Sequence, residues 1–379
     1  ESATTEVSSA SSVTSGYYGL LPSGANTSVA DAMYSTWKAS YVRDSVYGSV
    51  TLSRVMWDSD SGYTVSEGIG YGMLIAYFQE DWTTFNQFWN YAKNARGYSS
   101  SDLTPWTMIG FDNVKDASSA TDADIDIATA LVLAYKKTGS EAYLTDAKIL
   151  INGIWNTEVN SSNYLLRPGD NNSYWDDEDY GPSYNPSYFS PVGIRLFAEV
   201  DTDHDWATVL DANYAWLDLV KGAGNGFFKD WAGYDGTARR PPTKVSTYLY
   251  HNLEAIRIPW RLIWDYYWNN DSRAYSMMNL LSTHSIEKSG SNPDSLGCRI
   301  INSATDTWGH ATGSSEIYGH FLGSFCVSAM ASGNQDFLSS CNTRLNAESF
   351  PYESGTDSYF RDILVMMFTQ ILNGKYVRP

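Results

Sequence analysis

The chain has 379 residues and a formal net charge of −18, with 43% hydrophobic and 15% aromatic residues. That supplies a large buried core for one or two domains, while so acidic a balance argues against nucleic acid, whose phosphates are met by Lys and Arg. The 14 Trp and 28 Tyr are flat rings with a polar edge, which suit sugar faces as well as a protein interior.

Taken in order, the chain opens on a Ser/Thr-rich stretch, Glu1-Ser2-Ala3-Thr4-Thr5, that reads as a mature or trimmed terminus. Residues 1–20 are expected to be a polar segment and residues 21–379 a single domain. Strand signals are weak and helical periodicity recurs in pairs. The predicted helices are Asp31–Arg43 with the helix that carries Glu67, Trp82–Arg96 with Asp122–Lys137, and Glu141–Val159 with Pro186–Val200. They continue as Trp206–Lys221 with Asn252–Asn269, Arg273–Lys288 with Ser314–Ala331, and Gln335–Glu348 with Ser358–Asn373. The first helix of each pair is amphipathic and the second is apolar nearly all round. A helix of the first kind packs one stripe, whereas one of the second kind must be enclosed. Six of each, alternating, predict an all-α fold, an (α/α)6 barrel of six inner and six outer helices. Connections that lead into inner helices are long, and such loops in compact domains usually have a use. They should gather at the N-terminal ends of the inner helices.

The three Cys (298, 326 and 341) are too few for a disulfide framework. One bridge is possible, and the sequence leaves open whether Cys326 and Cys341 form it. The apolar run near Ile363–Ile371 is too short to span a bilayer, so no membrane partner is expected.

Acidic residues mark the predicted inner-helix starts. Ser66 can cap its helix, placing Glu67 in the first turn beside Gly68, Gly70 and Gly72. Glycine costs about 1 kcal/mol per helical position relative to alanine, so three of them imply either a bulky group brought against the backbone or a tight helix–helix face. In Ala120-Thr121-Asp122-Ala123-Asp124-Ile125-Asp126, Thr121 or Asp122 can cap. One carboxylate is then explained by capping and the helix dipole, but not Asp124 as well. Asp126 is read as a surface or ion-paired residue without a role. In the third cluster Glu254 and Arg257 share a helix face and can pair. Several carboxyls in an aromatic cleft suit hydrolysis of a glycosidic bond, where one protonates the leaving oxygen and another activates water or attacks directly.

Ser66-Glu67-Gly68-Ile69-Gly70-Tyr71-Gly72-Met73, Ala120-Thr121-Asp122-Ala123-Asp124, Asn185-Pro186-Ser187-Tyr188-Phe189 and Ala255-Ile256-Arg257-Ile258-Pro259-Trp260-Arg261 resemble the signatures of glycoside hydrolase family 8. Asp230-Trp231 and Asp357-Ser358-Tyr359-Phe360 resemble further family positions. The resemblance implies an (α/α)6 barrel and an inverting endo-hydrolase of β-1,4-linked polysaccharides. It implies Glu67 as general acid, Asp122 as the group steadying a distorted sugar, and Tyr188 and Arg257 lining the site. Many members carry Asp before the Ala-x-Arg, where this chain has Glu254. Glu254 is expected to be the base, with a loop carboxylate (Asp176, Asp177, Glu178 or Asp179) as the alternative. Asp124, Tyr359, Trp106 and Trp175 are expected to touch substrate.

The expected activity is secreted, monomeric, metal- and cofactor-free endo-β-1,4-glucanase action on cellulose-like or mixed-linkage glucan. The Asp122-Ala-Asp124 motif is similar to the cellulase and chitosanase branches, and the xylanase branch tends to replace it. Chitosanase or xylanase action is the nearest alternative. A non-catalytic glycan-binding barrel is the alternative from another class. Asp201-Thr202-Asp203-His204-Asp205 lacks the later ligands of a calcium loop and reads as a solvated turn. The five His are scattered without metal-helix spacing. Trp89, Trp155, Trp216 and Trp264 fall on helices and are expected in the core or between helices.

Overall fold

The computed structural model describes residues 16–57, 62–98, 101–296, 299–310, 318–352 and 358–379. Its long helices are α1 (Thr27–Tyr41), α2 (Ser66–Phe78), α3 (Trp82–Arg96), α4 (Thr121–Thr138), α5 (Glu141–Gly153), α7 (Pro191–Val200), α8 (Trp206–Val220), α9 (Ile258–Asn269), α10 (Ser272–Lys288), α11 (Gly319–Ser328), α12 (Gln335–Leu345) and α13 (Tyr359–Leu372). A single turn, α6 (Asn172–Trp175), lies in the loop after α5.

The inner helices close a ring: α2 packs on α4, α4 on α7, α7 on α9, α9 on α11, α11 on α13, and α13 returns to α2. Around them α3 covers α2, α5 covers α4, α8 covers α7, α10 covers α9 and α11, and α12 and α1 cover α13. This is the expected (α/α)6 barrel. Burial follows the sequence logic, since every residue of α11 is buried and in α2 only Glu67 is not. Such helices have no polar face to leave in water. Residues 42–65, 97–120, 154–190, 221–257, 289–318 and 346–358 lead into the inner helices, so the described parts of the long connections collect at one mouth.

Among the described residues eight short strands, which the sequence signals did not reveal, brace that mouth. They form three antiparallel sheets: β1 (Val42–Tyr47) with β2 (Val50–Val55); β3 (Tyr63–Val65), β4 (Thr107–Ile109) and β5 (Asn113–Asp116); and β6 (Tyr250–His251), β7 (Arg299–Asn302) and β8 (Thr307–His310). The second sheet delivers the chain directly into α2. Ser66 is therefore the first helical residue and not a cap, and its N–H donates to the Trp106 carbonyl at 2.9 Å. Thr121 and Asp122 likewise lie inside α4, with the Thr121 N–H on the Pro168 carbonyl at 3.2 Å. Loop carbonyls thus take helix-start N–H groups that side-chain caps would otherwise satisfy.

Several predicted boundaries move. The first helix starts at Thr27, capped by Asn26, and Glu141–Val159 ends as a π-turn, Ile154–Glu158. Pro186–Val200 is split into a 3-10 turn, Pro186–Tyr188, and α7, because Pro191 has no N–H to continue a helix and biases the preceding residue to extended backbone. Pro259 similarly sits in the first turn of α9, preceded by a 3-10 turn, Ala255–Arg257, so Glu254 lies one turn ahead of the helix. Residues 314–317 of the tenth predicted helix, Cys298, Asp357 and the opening Glu1–Thr5 lie outside the described residues. The described end of the 1–20 segment already belongs to the barrel, with Tyr17 stacked on Tyr267 at 4.8 Å and the Leu20 N–H bonded to the Met330 carbonyl.

Cys326 of α11 and Cys341 of α12 are joined by a disulfide, 15 residues apart in sequence. Closing a loop of that length removes unfolded-chain entropy equivalent to about 3 kcal/mol. A Cys326→Ala/Cys341→Ala double variant should lose stability of about that size in a urea titration, with its activity at low urea retained.

Candidate active site

At the mouth of the ring, three carboxylates converge on one guanidinium. Arg257 Nη1 donates to Glu67 Oε2 at 2.8 Å, to Asp122 Oδ2 at 2.9 Å and to the Tyr71 hydroxyl at 3.2 Å, while Nη2 binds Glu254 Oε2. The guanidinium lies between the Tyr188 and Phe360 rings, 5.4 and 5.8 Å from their centroids. One turn deeper the pattern repeats, because Arg261 Nη1 and Nη2 donate to Asp126 Oδ1 and Oδ2 at 2.7 and 2.8 Å. Asp122 and Asp126 are four apart on α4, as are Arg257 and Arg261 on the facing segment, so i,i+4 geometry stacks the two pairs. Asp126, expected on the surface or in an ion pair, is buried and paired.

Glu67 keeps 16% of its side chain exposed and accepts a hydrogen bond on Oε1 from the Tyr359 hydroxyl at 2.8 Å. Burial raises its pKa to about 7, opposed by Arg257 and assisted by the neighbouring charge of Asp122. Asp122, 2% exposed, is raised for the same first reason, desolvation, against the pull of Arg257 and Arg261. Glu254 remains 30% exposed. Its turn is held by Asp230, a buried residue that sequence reasoning left without a role, whose Oδ1 accepts from the Asn252 N–H at 3.0 Å and the Ala255 N–H at 2.9 Å. Asp230's own carboxyl is pushed well up by burial.

Two residues expected to touch substrate are buried. Asp124 is fully buried and accepts from the Thr104 N–H at 2.9 Å. With Glu158 it forms a second acid group behind the site, both pushed upward by burial, Asp124 to about 7. It holds the loop before Trp106 and does not reach the cleft. Tyr359 is 2% exposed, and its hydroxyl serves Glu67. Two of the four loop carboxylates are engaged away from Arg257: Asp176 pairs with Arg167 at 2.7 Å, and Asp177 accepts N–H groups of its own turn.

Aromatic residues flank the cluster. Trp106, 39% exposed, meets Trp57 edge-on at 6.2 Å beside the start of α2. On the other side Trp175 stacks on Trp231 at 5.5 Å, and Trp231 meets Tyr188 at 6.4 Å. Trp216 and Trp264 are core residues, and Trp89 and Trp155 pack between elements, as expected. Asp201 forms the expected turn, accepting from His204 and Trp206. Among the described residues no group of His, Cys, Asp and Glu could hold a metal ion, and no helix is long and apolar enough to cross a membrane.

The glycines of α2 face protein. A Cβ on Gly68 would meet the Tyr359 hydroxyl at 3.0 Å, one on Gly70 the Asp126 Cβ at 3.0 Å, and one on Gly72 the Phe88 ring at 3.0 Å. The bulk accommodated there is neighbouring side chains. Gly68→Ala should displace Tyr359 from Glu67 and lower kcat about tenfold, equivalent to one hydrogen bond of about 1.4 kcal/mol. Steady-state kinetics beside an unchanged far-ultraviolet circular dichroism spectrum would check it.

Known proteins resemble this chain in sequence and in fold. The chain is 32% identical over 283 residues to Endoglucanase 2 of Ruminiclostridium josui, covering 70% of this chain and 58% of that protein's length. It is 28% identical over 364 residues to a beta-glucanase of Niallia circulans, covering 91% of this chain and 84% of the relative. The apo structure of a beta-1,3-1,4-glucanase from Paenibacillus sp. X4 superposes with a TM-score of 0.81 at 27% identity, over 96% of this chain and 97% of that one. A xylose complex of Rex8A from Paenibacillus barcinonensis, at 20% identity and a TM-score of 0.73 over 93% and 94% of the chains, shares the fold. The family model for glycosyl hydrolases family 8 matches residues 9–370, and the chain belongs to that family.

Proposed function

We propose that the chain is an inverting endo-β-1,4-glucanase acting on mixed-linkage or cellulose-like glucan, secreted and monomeric. The observation that carries this reading is the meeting of Glu67 and Glu254, from opposite parts of the ring, on the two Nη atoms of Arg257 at an aromatic-walled mouth. Glu67, protonated below about pH 7, gives its proton to the bridging oxygen, and Glu254 takes one from the attacking water. Asp122 forms the floor and steadies a ring seated over Arg257, with Tyr188 alongside. Trp106 and Trp175 stack on sugars to either side. Likeness to proteins named endoglucanase and beta-1,3-1,4-glucanase supports glucan as substrate. The Cys326–Cys341 bridge suits an oxidising, extracellular setting.

Reducing-sugar release from barley glucan, carboxymethyl cellulose, xylan and chitosan should be greatest on the two glucans. Activity confined to xylan or chitosan would overturn the substrate assignment. Proton NMR of a fresh digest should show the α-anomer first, and β-anomer first would make Glu254 a nucleophile.

A further inference from the structure

The two donors that hold the Glu254 carboxylate bind the same atom. Arg257 Nη2 and Asn185 Nδ2, the latter at 2.7 Å, both donate to Oε2, and among the described residues no protein group donates to Oε1. Asn185 is 2% exposed and cannot turn over freely. Its Oδ1 caps the 3-10 turn Pro186–Tyr188, accepting from the Ser187 N–H at 3.0 Å and the Ser187 hydroxyl at 2.7 Å. An amide whose oxygen is committed to a backbone N–H presents its NH2 in the opposite direction, which fixes the orientation of the group. The same capped turn carries Tyr188, whose ring lies 5.4 Å from the Arg257 guanidinium. A glutamate has one more rotatable bond than an aspartate at the same position, so its carboxylate needs more restraint to be held for proton transfer.

We infer that Asn185 is a positioning residue for the base: it and Arg257 hold Oε2 of Glu254, leaving Oε1 as the oxygen that accepts the proton of the attacking water. The inference rests on the reading of Glu254 as general base. In the step, the water oxygen bonds to the anomeric carbon as the glycosidic C–O bond breaks. The leaving oxygen keeps that electron pair and takes the proton of Glu67, while the water's proton passes to Oε1. Solvent exchange then returns Glu67 to its acid form and Glu254 to its carboxylate.

Two variants test it. Asn185→Asp keeps an oxygen for the Ser187 N–H but replaces the donor with a second carboxylate oxygen, and Asn185→Ser keeps a capping oxygen too short to reach Glu254. Each should lower kcat on barley glucan on the order of 100-fold with KM changed no more than about twofold. In a Glu254→Ala background, adding Asn185→Ser should cost less than about threefold, because the group through which Asn185 acts is gone. Thermal melts identify any variant that fails to fold, and the other then carries the test. Unchanged kcat in a folded Asn185 variant, or the same fold-loss with and without Glu254, would overturn the positioning role. Full activity in Glu254→Ala would instead remove the base assignment on which it rests.

Discussion

Glu67→Gln should lower kcat on barley glucan on the order of 10³-fold with little change in KM, since a general acid contributes to the transition state and little to ground-state binding. The substituted side chain would keep an oxygen for the Tyr359 hydroxyl and an amide of similar size in the packed start of α2, so the fold should survive. The pH dependence is the sharper test. Burial raises Glu67 to about 7 against an ordinary value of 4.5, so the protonated, active form is lost as pH rises through about 7. The wild-type profile should fall there, and the residual activity of the variant should lack that limb. Stability gives a second readout. A carboxyl whose folded pKa lies above its unfolded one favours folding fully only below the unfolded value, and that contribution is lost as pH rises through the folded value. The amide has no such penalty, so the melting temperature of Glu67→Gln should draw ahead of wild type between pH 4.5 and 7. Calorimetry across that range would check it, and an unchanged difference would mean that Glu67 is not held protonated.

The barrel was legible because burial on all sides leaves a compositional mark. Runs such as Ile127–Ala134 and Phe321–Val327 have no polar face, and the alternation with amphipathic partners gave the ring its count. Strands of two to six residues are too short for alternation to register, so the sheets that seat Trp106 and the start of α2 went unread. Spacing explains the divided fate of the Asp pair. Two residues along a helix turn about 200°, so Asp122 faces Arg257 while Asp124 points to the Thr104 loop. A motif that names both could not separate them, but helix geometry does. Asn185 and Asp230 lay inside recognisable motifs, yet their work is to fix a turn found far along the chain. Nothing local in the sequence states that Asn185 reaches Glu254 across 69 residues. The glycines invited two readings, and only the neighbouring rings and the Asp126 side chain decide for packing.

Arg257→Met should destabilise the protein by about 3–5 kcal/mol at pH 8, the cost of removing one partner from a buried charge cluster. Methionine fills the slot between Tyr188 and Phe360, so lost packing is a small part of the effect. What remains is Asp122 at 2% exposure and Glu67 at 16%, both without the guanidinium that opposes their desolvation. Their folded pKa values then rise further above the unfolded ones, and a contribution of that sign is lost with increasing pH. The deficit against wild type should therefore grow as pH rises through about 7, where Glu67 loses its proton, and shrink as pH falls and the carboxyls take up protons. Urea titrations at pH 4, 6 and 8 would read it directly. Activity should be lost throughout, because Glu254 loses one of its two donors and Glu67 its neighbouring positive charge. Arg257→Lys separates charge from shape: a single ammonium cannot span three carboxylates from two nitrogens, so it should recover more stability than kcat. A deficit in Arg257→Met that does not vary with pH would assign the loss to packing and remove the electrostatic basis for grouping these acids as one site.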